Sequence, residues 1–225
     1  MGPPPYILDL PVYRQFPRPC TNNANGGPAD PRFLWSDQGE PLAVIGTTSV
    51  VPGVCKAVGM VDLRAVWPGF KEHLEEINHT APIVHWEFTE IGKAGKPAKY
   101  EKNWAAFFSG PKPSSSSEPQ WPYFASSVFP RSIVQIDPSI STLNRTDSPY
   151  VIGNEIDLVD AISGEIADSS CLAQALPRFD KTKMHQATPF HRVTMCPRGT
   201  CEPTDENTVL MGIVHYKKDW ARYSR

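Results

Sequence analysis

The chain is predicted to be all-β, and two observations predict it. Proline is frequent, 24 of 225 residues, and is spread along the whole chain. That spread argues against long helices and for short strands joined by shaped loops. The apolar runs are also short, each bounded by Gly, Pro, Asn or Asp, and they give roughly ten to twelve strands at spacings of about 10 to 20 residues. This pattern fits a β-propeller or a β-sandwich. No exact internal repeat is visible, so periodicity alone leaves the architecture open.

Residues 1–29 read as an irregular Pro/Asn/Gly-rich lead-in with one strand candidate at Tyr6 to Leu10, and residues 30–225 as a single domain. Residues 33–49 read as two strands around a turn at Ser36 to Gly39. Residues 58–66 alternate as a strand that Pro68-Gly69 ends. Phe70 to Ile77 is the best helical turn, with Phe70, Leu74 and Ile77 on one face. A strand is expected at Ile83 to Phe88, then a Lys/Gly/Pro loop over 89–100, then an apolar strand at Ala105 to Phe108. Residues 109–120, with four consecutive serines, read as a flexible loop. Further strands are expected at Tyr123 to Phe129, Ser132 to Ile136, Tyr150 to Ile156, Leu158 to Ile162, Thr188 to Met195 and Thr208 to Tyr216.

A formal net charge of −2 leaves no electrostatic footprint for nucleic acid or an anionic membrane. No apolar run approaches the roughly 20 residues needed to span a bilayer. Met1-Gly2-Pro3-Pro4-Pro5 has neither the basic region nor the apolar core of a signal peptide. Of the five cysteines, Cys196 and Cys201 flank a short Pro/Gly turn and suit a small disulfide loop. Asn78-His79-Thr80 and Asn144-Arg145-Thr146 are glycosylation acceptors. Together these features lean toward the secretory pathway or the extracellular space, and the missing signal leans toward a fragment.

Three polar clusters stand at the start of apolar strands. The first is Asp30-Pro31-Arg32 before Phe33-Leu34-Trp35. Pro31 fixes its own φ and is expected to bias Asp30 toward extended geometry, holding acid and guanidinium in a defined relation. The second is Glu101-Lys102-Asn103-Trp104 before Ala105. The third is His185 to Pro189, followed by His191 and Arg192, with His215 on the last strand. A sugar site needs carboxylates for proton transfer, amide and cationic donors for hydroxyls, and an aromatic face for the ring. Asp30, Glu101, Asn103, Trp104 and His191 supply these types. The bland readings are a local ion pair for Asp30 and Arg32, a solvated pair for Glu101 and Lys102, a core position for Trp104, and a satisfied histidine at 215. His185 and His191 lack the spacing of a metal pair. No serine nucleophile elbow, phosphate loop, dinucleotide fingerprint or Cys-x-x-Cys motif is present, and no metal or cofactor is called for.

In order, Asp30-Pro31-Arg32, Lys102-Asn103-Trp104, Ala187-Thr188-Pro189 and Met211 to His215 resemble five-bladed β-propeller carbohydrate enzymes. The likeness is to glycoside hydrolase family 130 and to fungal proteins of the β-mannosyltransferase type. It implies that Asp30 is the proton donor and that Arg32 binds the sugar or an anion. Lys102 aligns with a lysine that helps bind phosphate in the phosphorylases, and the Thr188-Pro189 turn and His215 match the group's Gly-Gly-Thr-Pro turn and its later strand ending in histidine; all three are expected to bind substrate. The chain departs from the group at Ala29, where an acid is expected, and at Gln186-Ala187, where the group has Gly-Gly. Ser126 to Pro130 stands where the phosphorylases carry a His-Arg-Pro motif, so phosphorolysis is disfavoured. Five blades need about twenty strands, so the resemblance implies an incomplete or truncated propeller.

The expected function is hydrolysis or transfer of a mannoside-like sugar by an inverting route. Asp30 is the acid, and Glu101 or Asp157 the base. Arg32, Lys102, Asn103 and His191 hold hydroxyls, and Trp104 offers a stacking face. The alternatives are a non-catalytic carbohydrate-binding or interaction propeller and a truncated, inactive fragment.

Overall fold

The computed structural model describes residues 28–49, 51, 53–85, 87–95, 98–108, 110, 121–128, 131–136, 150–156, 174, 183–197, 199–204 and 206–216. Among them are twelve strands and two short helices, so the chain is all-β in the main. In order they are β1 (Ala29–Trp35), β2 (Pro41–Thr47), β3 (Ala57–Asp62), α1 (Leu63–Val66), α2 (Pro68–Glu76), β4 (Thr89–Lys93), β5 (Ala105–Phe107), β6 (Tyr123–Val128), β7 (Arg131–Ile136), β8 (Tyr150–Ile156), β9 (Met184–Gln186), β10 (His191–Thr194), β11 (Thr208–Met211) and β12 (Val214–Tyr216).

Strands β1 to β4 form one antiparallel meander and β5 to β8 a second. A parallel pairing of β4 with β8 joins them into one sheet of order β1-β2-β3-β4-β8-β7-β6-β5. Strand β3 is buried throughout and β2 almost so, because both faces of the first meander are covered. On one face Leu42, Val44, Met60 and Ile91 meet Trp104, Phe124 and Val134 of the second meander in a single core. On the other face Ala43, Ile45 and Val61 pack with Leu63, Phe88 and Phe70 beneath the helices. The second meander's outer face is covered by Phe190 and Leu210, which pack on Phe107, Ala125 and Ile133. Each such apolar side chain stabilises the fold by about 1.5–3 kcal/mol when fully buried. The remaining strands pair as two small ribbons, β10 with β11 and β9 with β12. Among the described residues no closed ring of blades is formed.

Several expected elements fall elsewhere, each for a physical reason. The strand expected over 58–66 stops at Asp62, whose carboxylate accepts the Arg64 backbone N–H at 2.9 Å and caps α1. Pro68 then opens α2 at its first turn, where a missing N–H costs nothing. Leu74 of that helix is buried, but Ile77 lies beyond its end and is exposed. No strand forms over residues 83–85; the strand is β4, four residues after them. Arg64 takes the Ala81 and Pro82 carbonyls at 2.6 and 2.8 Å, and Asp62 takes the Val84 N–H at 3.2 Å. His85 has φ +49° and its carbonyl accepts the Asp62 backbone N–H at 3.2 Å, so the segment's polar groups go to Asp62 and Arg64 and form no ladder. The single strand expected over 208–216 breaks at Gly212, and its halves pair with different partners. A Cβ at Gly212 would lie 2.3 Å from the Gln186 amide nitrogen and 2.9 Å from the Phe190 ring, so a larger residue would have to displace both side chains. The Tyr6 to Leu10 and Leu158 to Ile162 expectations, and the loop over 111–120, lie outside the described residues.

Candidate functional site

The site is built where β1 begins. Ala29 pairs with Gly46 and Arg32 with Val44, so one extra residue is accommodated as a bulge. Asp30 takes up the bulge with φ +49°, and the extended geometry expected for it is corrected. A residue before proline in this region is strained, and Asp tolerates it better than most. Gly46 lets the bulge pack closely, since a Cβ there would stand 3.1 Å from the Ala29 carbonyl oxygen and press it aside by a few tenths of an ångström.

A second segment is brought alongside through β3. The Cys55 N–H donates to the Lys99 carbonyl at 2.7 Å, and the Glu101 N–H donates to the Lys56 carbonyl at 2.9 Å. This lays residues 99–101 beside residues 55–56. Asn103 follows with φ +62°, and Trp104 then plunges into the core as β5 approaches. Asp30 and Asn103 are thus two of the four non-glycine residues with positive φ among the described residues, and both line one cavity. Local strain of this kind, of order 1–3 kcal/mol for each residue, persists only where the surroundings enforce it.

That cavity has a volume of about 30 Å³ and is lined by Asp30, Arg32, Lys56, Glu101, Lys102 and Asn103, floored by Ala57, Val58 and Val44. Next to it lies a wider cleft of about 230 Å³. Lys102 and Asn103 line it too, together with Tyr100, Ser126, Ser127 and His185. Among the described residues no carboxylate lines the cleft, whereas Asp30 and Glu101 both line the cavity. The Asn103 side-chain amide nitrogen stands 3.4 Å from His185 Nδ1, within hydrogen-bond reach. Behind it His215 sits opposite His185 in the β9–β12 pair, with ring centroids 5.4 Å apart. One Glu101 carboxylate oxygen accepts the Ala98 N–H at 2.7 Å.

Arg32 fills a different place from the ligand-binding one expected. Its Nη1 donates to the Trp104 carbonyl at 3.0 Å, Nη2 to Gln186 at 2.9 Å and Nε to Ala187 at 3.3 Å. The guanidinium therefore stitches β1 to the start of β5 and the end of β9. Burial lowers its proton affinity, and the nearby Asp30 carboxylate acts the other way.

Trp104 is also corrected. It is 1 % exposed and packs on Phe124, so no face of the ring is open to a sugar. Thr188 acts within its turn: its hydroxyl accepts the Ile213 N–H at 2.9 Å and its carbonyl accepts the Gln186 amide at 3.0 Å. His191 lies exposed on the β10–β11 ribbon and lines neither cavity nor cleft, so its expected ligand role finds no support in the geometry. Asp157 lies outside the described residues. Lys56, Tyr100, Ser126 and Ser127 were missed in the sequence, where nothing distinguishes them from solvated loop and strand residues. His185 belongs to the third polar cluster, where its spacing from His191 argues only against a metal pair.

Among the described residues, no group of three or more His, Cys, Asp or Glu is placed to hold a metal. Cys196 and Cys201 form a disulfide, Cys55 is also disulfide-bonded, and no helix is long and apolar enough to cross a membrane. A scan against family models finds no match, and neither a curated protein nor a solved structure matches the chain.

Proposed function

We propose that the chain is carbohydrate-active and hydrolyses or transfers a mannoside-like glycoside by an inverting acid/base route, on a propeller-type array of four-stranded units. One observation carries the reading. Two carboxylates and two lysines from three separate segments, Asp30, Lys56 and Glu101-Lys102, line one cavity, beside a cleft rich in hydroxyl, amide and imidazole groups. Enzymes of this class need a proton donor at the leaving oxygen and a base across the ring, at roughly 6.5–9.5 Å separation. Asp30 is the donor and Glu101 the base. Lys102, Asn103 and His185 hold ring hydroxyls, while Arg32 positions the strands that carry them. The carbohydrate family likeness noted in the sequence is part of this reading, as is placement in the secretory pathway or outside the cell. A disulfide and the exposed Asn78 of a glycosylation acceptor suit such a compartment.

The test is turnover of a panel of mannosides by the wild-type chain and by Asp30→Asn. Loss of turnover in a folded variant supports the reading, and equal turnover by both removes it. A second reading, non-catalytic glycan binding, is favoured by Arg32 being tied to backbone carbonyls and Trp104 being buried, which leaves fewer sugar contacts. Glycan-array binding without turnover, unaffected by Asp30→Asn, would establish it.

A further inference from the structure

One glycosylation acceptor, Asn78-His79-Thr80, falls in the turn after α2, and hydrogen bonds fix the shape of that turn. The Asn78 N–H donates to the Glu75 carbonyl at 3.0 Å, and the His79 N–H donates to the Leu74 carbonyl at 2.9 Å. This is the pair of bonds of a Schellman motif, and Asn78 holds its left-handed position with φ +58°. Asparagine tolerates that conformation better than most residues. His79 anchors the turn from its middle. Its Nε2 donates to the Gly39 carbonyl at 2.8 Å, and its ring meets Trp35 edge to face, with centroids 5.5 Å apart. The two residues that glycosyl transfer requires, Asn78 and Thr80, are both exposed. Two large apolar side chains stand open beside them. Ile77, just before Asn78, is 62 % exposed, and Trp35, in contact with the residue just after it, is 54 % exposed. A sugar joined to Asn78 has both within reach, and its C–H face suits the indole ring.

We infer that Asn78 carries an N-linked glycan whose first sugar covers Trp35 and Ile77; this rests on the secretory-pathway placement above and not on the catalytic reading. In the transfer, Asn78 Nδ2 bonds to the anomeric carbon of a lipid-pyrophosphate-linked oligosaccharide. The bond from that carbon to the pyrophosphate oxygen breaks, lipid pyrophosphate leaves, and the amide nitrogen gives up one proton to solvent. The turn fixes the point of attachment beside the two apolar side chains. The glycan therefore screens them from water and ties the end of α2 to the β1–β2 hairpin.

The experiment expresses the whole chain behind a secretion leader in eukaryotic cells, as Asn144→Gln so that one acceptor remains. Peptide mass spectrometry should find the glycan on Asn78, and Thr80→Ala should abolish it. The unglycosylated Thr80→Ala chain should melt about 2–4 °C below the glycosylated one. Repeated with Trp35→Ser, and separately with Ile77→Ser, both at exposed positions, the same comparison should show a smaller gap. An unmodified Asn78 in the secreted chain overturns the inference, and so does a gap that neither substitution narrows. Finding the native chain outside the secretory compartments removes the placement itself, and with it this inference. The two failures are told apart because the leader delivers the chain to the transferase wherever the native chain resides.

Discussion

Asp30-Pro31-Arg32 and Asp62-Leu63-Arg64 have the same spacing of acid and guanidinium and stand at opposite ends of one meander, yet they are used in opposite ways. At the far end, Arg64 closes on its own partner: Nη2 meets one Asp62 carboxylate oxygen at 2.6 Å and Nε the other at 3.0 Å. The same carboxylate caps α1 and takes the Val84 N–H, and the pair is almost fully buried. At the near end, Arg32 turns away from Asp30 to three backbone carbonyls, and Asp30 is left exposed at the cavity. Pro31 explains part of the divergence, since it removes the N–H that Leu63 can offer and leaves no helix to cap. The bulge at Asp30 supplies the rest. A satisfied carboxylate builds the fold; a strained one, facing a cavity, is available for chemistry.

Asp62→Ala is the largest break in this comparison. It strands a buried guanidinium and two N–H groups, and denaturant unfolding should show a loss of about 3–5 kcal/mol. Next comes Arg32→Met, which removes three charge-assisted bonds to carbonyls. A loss of about 2–3 kcal/mol is expected, with turnover falling too because the cavity wall is unpinned. An Arg32→Met variant with native stability would refute the stitching role.

Glu40, beside the Asp62 network, should show a smaller effect with a definite pH sign. It is 2 % exposed, Oε1 has no partner among the described residues, and burial raises its pKa above the usual 4.5. A raised carboxyl pKa means that the folded state keeps the proton longer than the unfolded chain. Stability is therefore full below about 4.5 and falls as pH rises through the folded pKa. Glu40→Gln should remove this slope and raise the melting temperature at neutral pH relative to wild type. Equal slopes in melting curves taken across pH 4 to 8 would contradict the assignment. Smallest is Asp30→Gly, which relieves a positive φ at the cost of chain entropy; a gain of no more than about 1 kcal/mol is expected while turnover is lost.

Composition and punctuation were enough to reveal the all-β class, the β1–β2 hairpin and most later strands, because proline and short apolar runs act locally. What they could not reveal was long-range competition for backbone groups. The segment at 81–85 has strand composition, but its carbonyls and an N–H are claimed by Asp62 and Arg64 from another element. Thr208 to Tyr216 reads as one strand until Gly212 meets Gln186 and Phe190. At the site, residues 30, 101, 102 and 103 were legible because charged groups clustered before apolar strands. Trp104 was misjudged because its class fits both core and platform, and Arg32 because no sequence pattern points a guanidinium at distant carbonyls.

The most direct test pairs the two aspartates. Asp30→Asn and Asp62→Asn are measured side by side for melting temperature and for mannoside turnover. Asp30→Asn should keep the wild-type melting temperature and lose turnover on the order of 10²–10⁴-fold, while Asp62→Asn should melt well below wild type. Undiminished turnover by a folded Asp30→Asn, or a melting loss there equal to that of Asp62→Asn, would contradict the division between a carboxylate that acts and one that holds.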